Sequence, residues 1–191
     1  MSSNRQREIL HAAVKLFEQK GYQATSVQDI ADAVGLQKGS LYHYIQSKEE
    51  LLMQIADAAI RQFNEQLQEI LARPMTAQEK LAAMIRMHVQ TSIENLETTT
   101  VLWREAFSLG EAPQGVIQKM TDTYLDLVTQ ILNEGSENGE FQVHHPRVTA
   151  LAILGACNWV YRWYRPSGSM NANDVAHTFS KLFLDGLLTT H

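Results

Sequence analysis

The sequence predicts an all-α fold of about nine helices, and three observations predict it. Apolar residues recur at three- and four-residue spacing along almost all of the 191 residues. No alternating run of convincing strand length occurs. Gly (10) and Pro (4) are scarce, which disfavours a turn-rich β-protein and favours long helices. The composition, 45% hydrophobic and 19% charged, is that of a packed core rather than a disordered or fibrous chain. The length suits one domain, or two small ones, with enough core to need no cross-link.

Each element has its own signal. Ile9, Ala13, Leu16 and Phe17 form one stripe of a helix expected over 4–20, and Gly21 follows as a left-handed cap. Thr25 or Ser26 caps the second helix. Asp29, three residues after Ser26, completes a capping box, and Gly35 ends the helix. A short third helix is expected at about 37–44. Ser47 caps a long fourth helix over 48–72, with Leu51, Leu52, Ile55, Ala59, Phe63, Leu67 and Ile70 as its apolar face. Arg73-Pro74 ends it. Five further helices are expected near 76–96, 98–109, 113–137, 145–164 and 173–188. Pro113 and Pro146 fit first-turn positions, and Gly135 and Gly139 are expected to break the chain after the longest helix.

Several function classes are excluded at once. A single cysteine, Cys157, leaves no disulfide framework and no cysteine-based zinc site. Gly-x-Ser-x-Gly, His-Glu-x-x-His and phosphate-loop motifs are absent, so no enzyme activity and no cofactor is expected. His144 and His145 are adjacent rather than four apart, and no metal site is expected. The most apolar stretch, 148–161, would span roughly 21 Å as a helix, short of the ~30 Å hydrocarbon core. No membrane association is expected, and the cytoplasm is the expected location. The net charge of −5 taken alone argues against a nucleic-acid binder. Yet residues 1–50 hold six Lys and Arg against six Asp and Glu, so the acidity belongs to 51–191. The stretch from Gln37 to Lys48 contains no acid.

The first three helices, with glycine in the second turn, describe a helix-turn-helix. Small Ala31 allows close helix approach, and Leu36, Leu41 and Ile45 reach back towards Ile9, Ala13 and Ile30. Gln37, Lys38, Ser40, Tyr42 and His43 are then left facing outward, a set suited to base edges and phosphates. Gly39 removes a side chain where backbone must come close to DNA, and Lys48 is placed for a phosphate. The run Thr25-Ser26-Val27-x-x-Ile30-Ala31-x-x-Val34-Gly35-x-x-Lys38-Gly39-Ser40-Leu41-Tyr42-x-Tyr44-Ile45-x-Ser47-Lys48-Glu49-Glu50-Leu51 resembles the signature of the tetracycline-repressor (TetR) family of bacterial transcription regulators. Ala13-x-x-Leu16-Phe17-x-x-x-Gly21-Tyr22 fits as well. Ile45 and Gln37 depart mildly from it, standing where Phe and Ser are common. The resemblance implies DNA contacts from Ser26, Gln37, Lys38, Gly39, Ser40, Tyr42, His43 and Lys48, with Arg5 and Arg7 by the backbone or minor groove. It also implies a helix-turn-helix domain over 1–47 and a ligand-binding and dimerisation domain over 48–191.

The body can be read independently. The 145–164 helix is apolar on nearly all sides, which requires burial on two faces. The last helix carries a broad apolar stripe. Together they suggest a homodimer closed by a four-helix bundle, with Leu151, Gly155, Val175, Phe179, Leu182 and Phe183 at the interface. The run Asn158-Trp159-Val160-Tyr161-Arg162-Trp163-Tyr164-Arg165 interleaves aromatics and arginines. It suits either an apolar tunnel with a cationic mouth or an aromatic core cluster with snorkelling arginines. Ile153-Leu154-Gly155-x-x-Asn158-Trp159-x-x-x-Trp163-Tyr164-Arg165-Pro166-x-Gly168, with Trp103-Arg104-Glu105, resembles the TetR regulators that respond to coenzyme A thioesters. That implies a repressor released from a pseudo-palindromic, double-stranded operator by a small hydrophobic effector, an acyl-CoA, in fatty-acid or related acid metabolism. The candidate effector contacts are Trp103, Arg104, Phe107, Tyr124, Asn158, Trp159, Arg162, Trp163 and Arg165. The alternatives are a multidrug-sensing repressor of an efflux gene, an enzyme using the same cavity, and a helical interaction module.

Overall fold

The computed structural model describes residues 4–105 and 109–187. Among these the chain is helical, with no strand, in ten segments. They are α1 (Asn4–Lys20), α2 (Val27–Ala33), α3 (Lys38–Leu41), α4 (Lys48–Leu71), α5 (Ala77–Glu94), α6 (Leu96–Glu105), α7 (Glu111–Glu137), α8 (Pro146–Asn158), α9 (Val160–Trp163) and α10 (Ala172–Leu187). The chain divides into two compact units, Met1–Ile60 with Glu97–Gln118, and Arg61–Leu96 with Lys119–His191. This division falls within α4 and α7, so it does not coincide with the expected boundary at 47 and 48.

The first unit is built around Ile9, Ala13, Phe17, Ile30, Leu41, Ile45, Leu51 and Leu52, all buried. Leu36, expected with them, is only partly buried. The Ser26 hydroxyl accepts from Asp29 N at 3.0 Å, and the Asp29 carboxylate accepts from Ser26 N at 2.7 Å, which completes the capping box. Lys20 adds an ion pair to Asp29 at 2.8 Å. That hydrogen bond, with those from Ser26, holds the Asp29 carboxyl well below the usual carboxylate range. Gly35, at φ +65°, lets Leu36 N reach back to Ala31 O at 2.9 Å and stops α2 where the turn must begin. Ser47 accepts from Glu50 N at 3.0 Å and starts α4.

The third helix is shorter than expected. Only Lys38–Leu41 is regular, after which His43 N and Tyr44 N bond three residues back, to Ser40 O and Leu41 O. Such tightening consumes carbonyls that would otherwise extend the helix.

In the second unit α5, α7, α8, α9 and α10 share one core with the later part of α4, including Leu67, Leu81, Ile85, Ile131, Leu132, Ile153 and Val160. A capping box between Thr76 and Glu79 opens α5. Glu140 adds its carboxylate to Ala77 N (3.3 Å) and Gln78 N (2.9 Å), where a helix start favours negative charge. Two expectations are corrected here. The helix expected over 145–164 is interrupted at Trp159, where Arg162 N turns back to Trp159 O and separates α8 from α9. Gly135 does not break the chain but lies inside α7, and Gly139, at φ +74°, makes the reversal after it. Gly135 is required by packing, because a Cβ there would lie 2.1 Å from the Phe141 ring. Gly135→Ala is therefore expected to lower stability by about 1–3 kcal/mol despite alanine's better helix propensity, as read by urea unfolding. Unchanged or raised stability would contradict this packing.

Candidate functional site: a nucleic-acid face and a buried polar cluster

The first unit presents the candidate nucleic-acid face. Ser26, Gln37, Lys38, Gly39, Tyr42 and His43 are exposed and Ser40 is partly so. A Cβ built on Gly39 would meet nothing within 4 Å, so the glycine leaves bare backbone towards the outside rather than making room inside. Tyr42 is 48% exposed although its neighbour Leu41 is fully buried. A large aromatic beside the core yet turned outward is available for a partner. Arg7 is exposed, whereas Arg5 donates to Val34 O at 2.6 Å and pairs with Glu8.

Lys48 is engaged differently from the expectation. Its ammonium donates to Tyr22 O (2.8 Å), Gln23 O (3.4 Å) and Thr25 O (2.8 Å), and lies 4.4 Å from the centre of the Tyr22 ring. Three protons directed at three carbonyls leave none for a phosphate in this arrangement. Lys48 instead fastens the turn that presents Ser26.

Of the candidate effector contacts, Trp103 and Arg104 belong to the first unit. Arg104 donates to Phe17 O and Glu18 O and pairs with Glu105 at 2.8 Å. It therefore ties α6 to the last carbonyls of α1. Phe107 lies outside the described residues. In the second unit the structure joins Tyr124 and Asn158 through a residue not among the candidates, His88. The Tyr124 hydroxyl lies 3.0 Å from His88 Nδ1, and Asn158 Oδ1 lies 2.9 Å from His88 Nε2. A carboxamide oxygen only accepts, so Nε2 carries the proton and Nδ1 accepts from the tyrosine hydroxyl. Phe63 packs on the imidazole with ring centres 4.7 Å apart.

Burial is the main cause of the shifts at this cluster. It pushes the His88 pKa down to about 4, the Cys157 thiol up to about 12, and the Tyr124 phenol well above its ordinary value. The imidazole is therefore neutral at pH 7. Below about pH 6.5 an unfolded chain takes up a proton that the folded one refuses until about pH 4. Stability is thus expected to fall through that window by up to about 1.4 kcal/mol per pH unit from this residue. Urea unfolding of wild type and His88→Gln between pH 7 and 4 reads the effect as a shallower loss in the variant; parallel curves would contradict it.

The remaining candidates do not line an interior. Trp159 and Trp163 are 57% and 43% exposed, and Arg162 and Arg165 are exposed. Arg165 donates to Tyr164 O at 2.9 Å, while the Arg162 guanidinium has no partner among the described residues. On the same unit Leu151, Gly155 and Leu182 are exposed, and Phe179 and Phe183 partly so. Val175, expected at the interface, is corrected: at 1% exposure it belongs to its own chain's core. Among the described residues no three acidic, histidine or cysteine side chains gather as a metal site, and no helix is long and apolar enough to cross a membrane.

A helix-turn-helix with a bare polar face, in one chain with a helical body, defines a DNA-binding regulator as the class. Residues 9–55 match the profile of "Bacterial regulatory proteins, tetR family", and residues 74–187 match "Tetracyclin repressor-like, C-terminal domain". The chain belongs to the TetR family of transcriptional regulators. It is 30% identical to the HTH-type transcriptional repressor KstR2 of Rhodococcus jostii (strain RHA1), over 99% of this chain and 94% of that one. It is 29% identical to the fatty acid metabolism regulator protein of Bacillus subtilis (strain 168), over 71% and 70%. Among solved structures, AibR in complex with isovaleryl coenzyme A and operator DNA is 28% identical, with a TM-score of 0.86, over 94% and 97%. The family and these relatives are transcriptional regulators, not enzymes.

His88 was invisible as a site residue because its partners stand 36 and 70 residues away. The available signal was a lone histidine on the buried stripe of Leu81, Ile85, His88 and Ser92.

Proposed function

We propose that this chain is a homodimeric repressor that an acyl-CoA thioester releases from a pseudo-palindromic operator. The observation that carries the DNA reading is the exposed, acid-free face of Gln37, Lys38, Gly39, Tyr42 and His43, with Ser40 and Ser26 beside it. Glutamine suits adenine and lysine suits guanine, so Gln37 and Lys38 read bases while Tyr42 and His43 touch phosphates or thymine methyls. Two copies in successive major grooves require recognition helices about 34 Å apart. The exposed apolar residues of α8 and α10 supply the dimer contact, with Leu151, Gly155, Phe179, Leu182 and Phe183 at its centre.

The effector reading is supported by likeness to a regulator solved with isovaleryl coenzyme A and to a fatty acid metabolism regulator. Arg162, exposed and with its guanidinium unpartnered among the described residues, is the arginine available to a phosphate. Bound effector favours the state that cannot span two grooves, through its differential affinity for the two states. α4, which contributes residues to both units, carries the change.

The direct test is a footprint on the DNA upstream of the gene. Two protected half-sites one helical turn apart are expected, with affinity falling steeply as salt rises. Uniform weak binding without a footprint would overturn the reading.

A further inference from the structure

We infer that Lys48 and Arg104 are positioning residues for operator recognition: two cations, from α4 and α6, that grip the joint between α1 and α2 by its main-chain carbonyls. The inference rests on the operator reading above and is independent of the effector. A helix C-terminus leaves its last carbonyls without intrahelical donors and carries partial negative charge. At the end of α1 the donors come from distant parts of the chain. Arg104, next to last in α6, donates to Phe17 O and to Glu18 O. Lys48, the first residue of α4, donates to Tyr22 O, Gln23 O and Thr25 O. Between the two grips, the Thr25 hydroxyl donates to Gly21 O at 2.8 Å. Glu105 holds the Arg104 guanidinium at 2.8 Å, and its carboxylate lies 3.9 Å from the position a Cβ would take on Gly21.

The joint stands directly before the recognition unit. α2 begins at Val27, two residues after Thr25, and α3 follows across the Gly35 turn. Tyr22 is pinned twice, by the edge of Phe17 with ring centres 5.2 Å apart and by the Lys48 ammonium over its face. The apolar core of Ile9, Phe17, Ile30 and Leu41 makes these helices pack, but apolar burial has no direction. Hydrogen bonds to carbonyls do have direction, and they fix where α2 starts. A binding surface must be held to within about 0.5 Å to meet its partner.

Neither cation belongs to that core. The Arg104 side chain is 38% exposed, and Lys48 is only partly buried. Removing either charge therefore leaves the core of the unit in place and loosens the placement of α2 and α3. Lys48, with its three protons directed at carbonyls, acts through the turn and not through a phosphate.

The test measures binding of Lys48→Met, Lys48→Arg and Arg104→Met to labelled operator and to a random duplex of equal length. Fluorescence anisotropy is read over a range of salt, and circular dichroism gives the folded fraction at the same temperature. Lys48→Met and Arg104→Met are each expected to bind the operator at least about tenfold more weakly than wild type. Affinity for the random duplex, and the slope of log affinity against log salt, are expected to stay at wild-type values, because no phosphate contact is lost. Lys48→Arg is not expected to rescue, since a planar guanidinium cannot direct its protons at three converging carbonyls. A slope shallower by about two in Lys48→Met, one phosphate per protomer, with rescue by Lys48→Arg, would make Lys48 a phosphate ligand and overturn the inference. Wild-type operator affinity in both methionine variants would overturn it too, as would a loss that vanishes on correction for folded fraction. Wild type binding the operator no tighter than the random duplex would overturn the operator reading and this inference with it.

Discussion

Tyr42→Ala is expected to abolish operator binding while the protein remains folded and dimeric. Tyr42 projects from the end of the recognition turn, and at 48% exposure it stands outside the buried core. Losing one contact of this kind costs about 1–3 kcal/mol, and a symmetric dimer loses it twice. The sum, about 2–6 kcal/mol, lowers affinity at least about thirtyfold, which brings specific binding down towards the non-specific level. Fluorescence anisotropy on the operator measures the loss, and circular dichroism with analytical ultracentrifugation verifies fold and assembly. Wild-type affinity would show that the ring does not face DNA.

Leu182→Glu is expected to give a monomer that no longer binds the operator. Leu182 is 66% exposed on α10, with Phe179 and Phe183 on the same helix and Leu151 and Gly155 exposed on α8. Burying a leucine contributes about 1.5–3 kcal/mol, and the two-fold axis applies the loss twice. A buried carboxylate without a partner adds a further cost. Because the side chain is exposed in the single chain, the protomer itself stays folded. Sedimentation at micromolar concentration reads the assembly. A dimer of unchanged stability would place the interface elsewhere.

What was legible in the sequence follows from how local each signal is. The capping box of Ser26 and Asp29, the Gly35 stop and the Ser47 cap involve residues three or four apart, and each is made as the spacing implies. The polar face around α3 is likewise read from one short run, Gln37 to His43, around a buried Leu41. Non-local choices were not legible. The apolar richness of 145–164 says that two faces must be covered, but not which face meets the chain's own core. Trp159 and Trp163 therefore suggested either a tunnel or an aromatic core cluster and proved exposed, whereas Val175 suggested an interface and proved internal. Lys48 is a phosphate candidate by its position, and Arg104 an effector candidate by resemblance. Both are engaged by main-chain carbonyls of the α1 end and the turn after it, acceptors that no side-chain pattern displays. Gly135 illustrates the same limit: its meaning depends on Phe141 lying against it, a packing fact rather than a local one.

In the proposed function one chain couples the Tyr42 face to an acyl-thioester sensor in its body. Titrating the operator complex with C4, C8 and C16 acyl-CoA, free coenzyme A, the corresponding fatty acids and a cationic drug tests it directly. Release by an acyl-CoA at saturable, stoichiometric binding is expected, with coenzyme A, the acids and the drug inactive. Release by the cationic drug with no response to any acyl-CoA would contradict it.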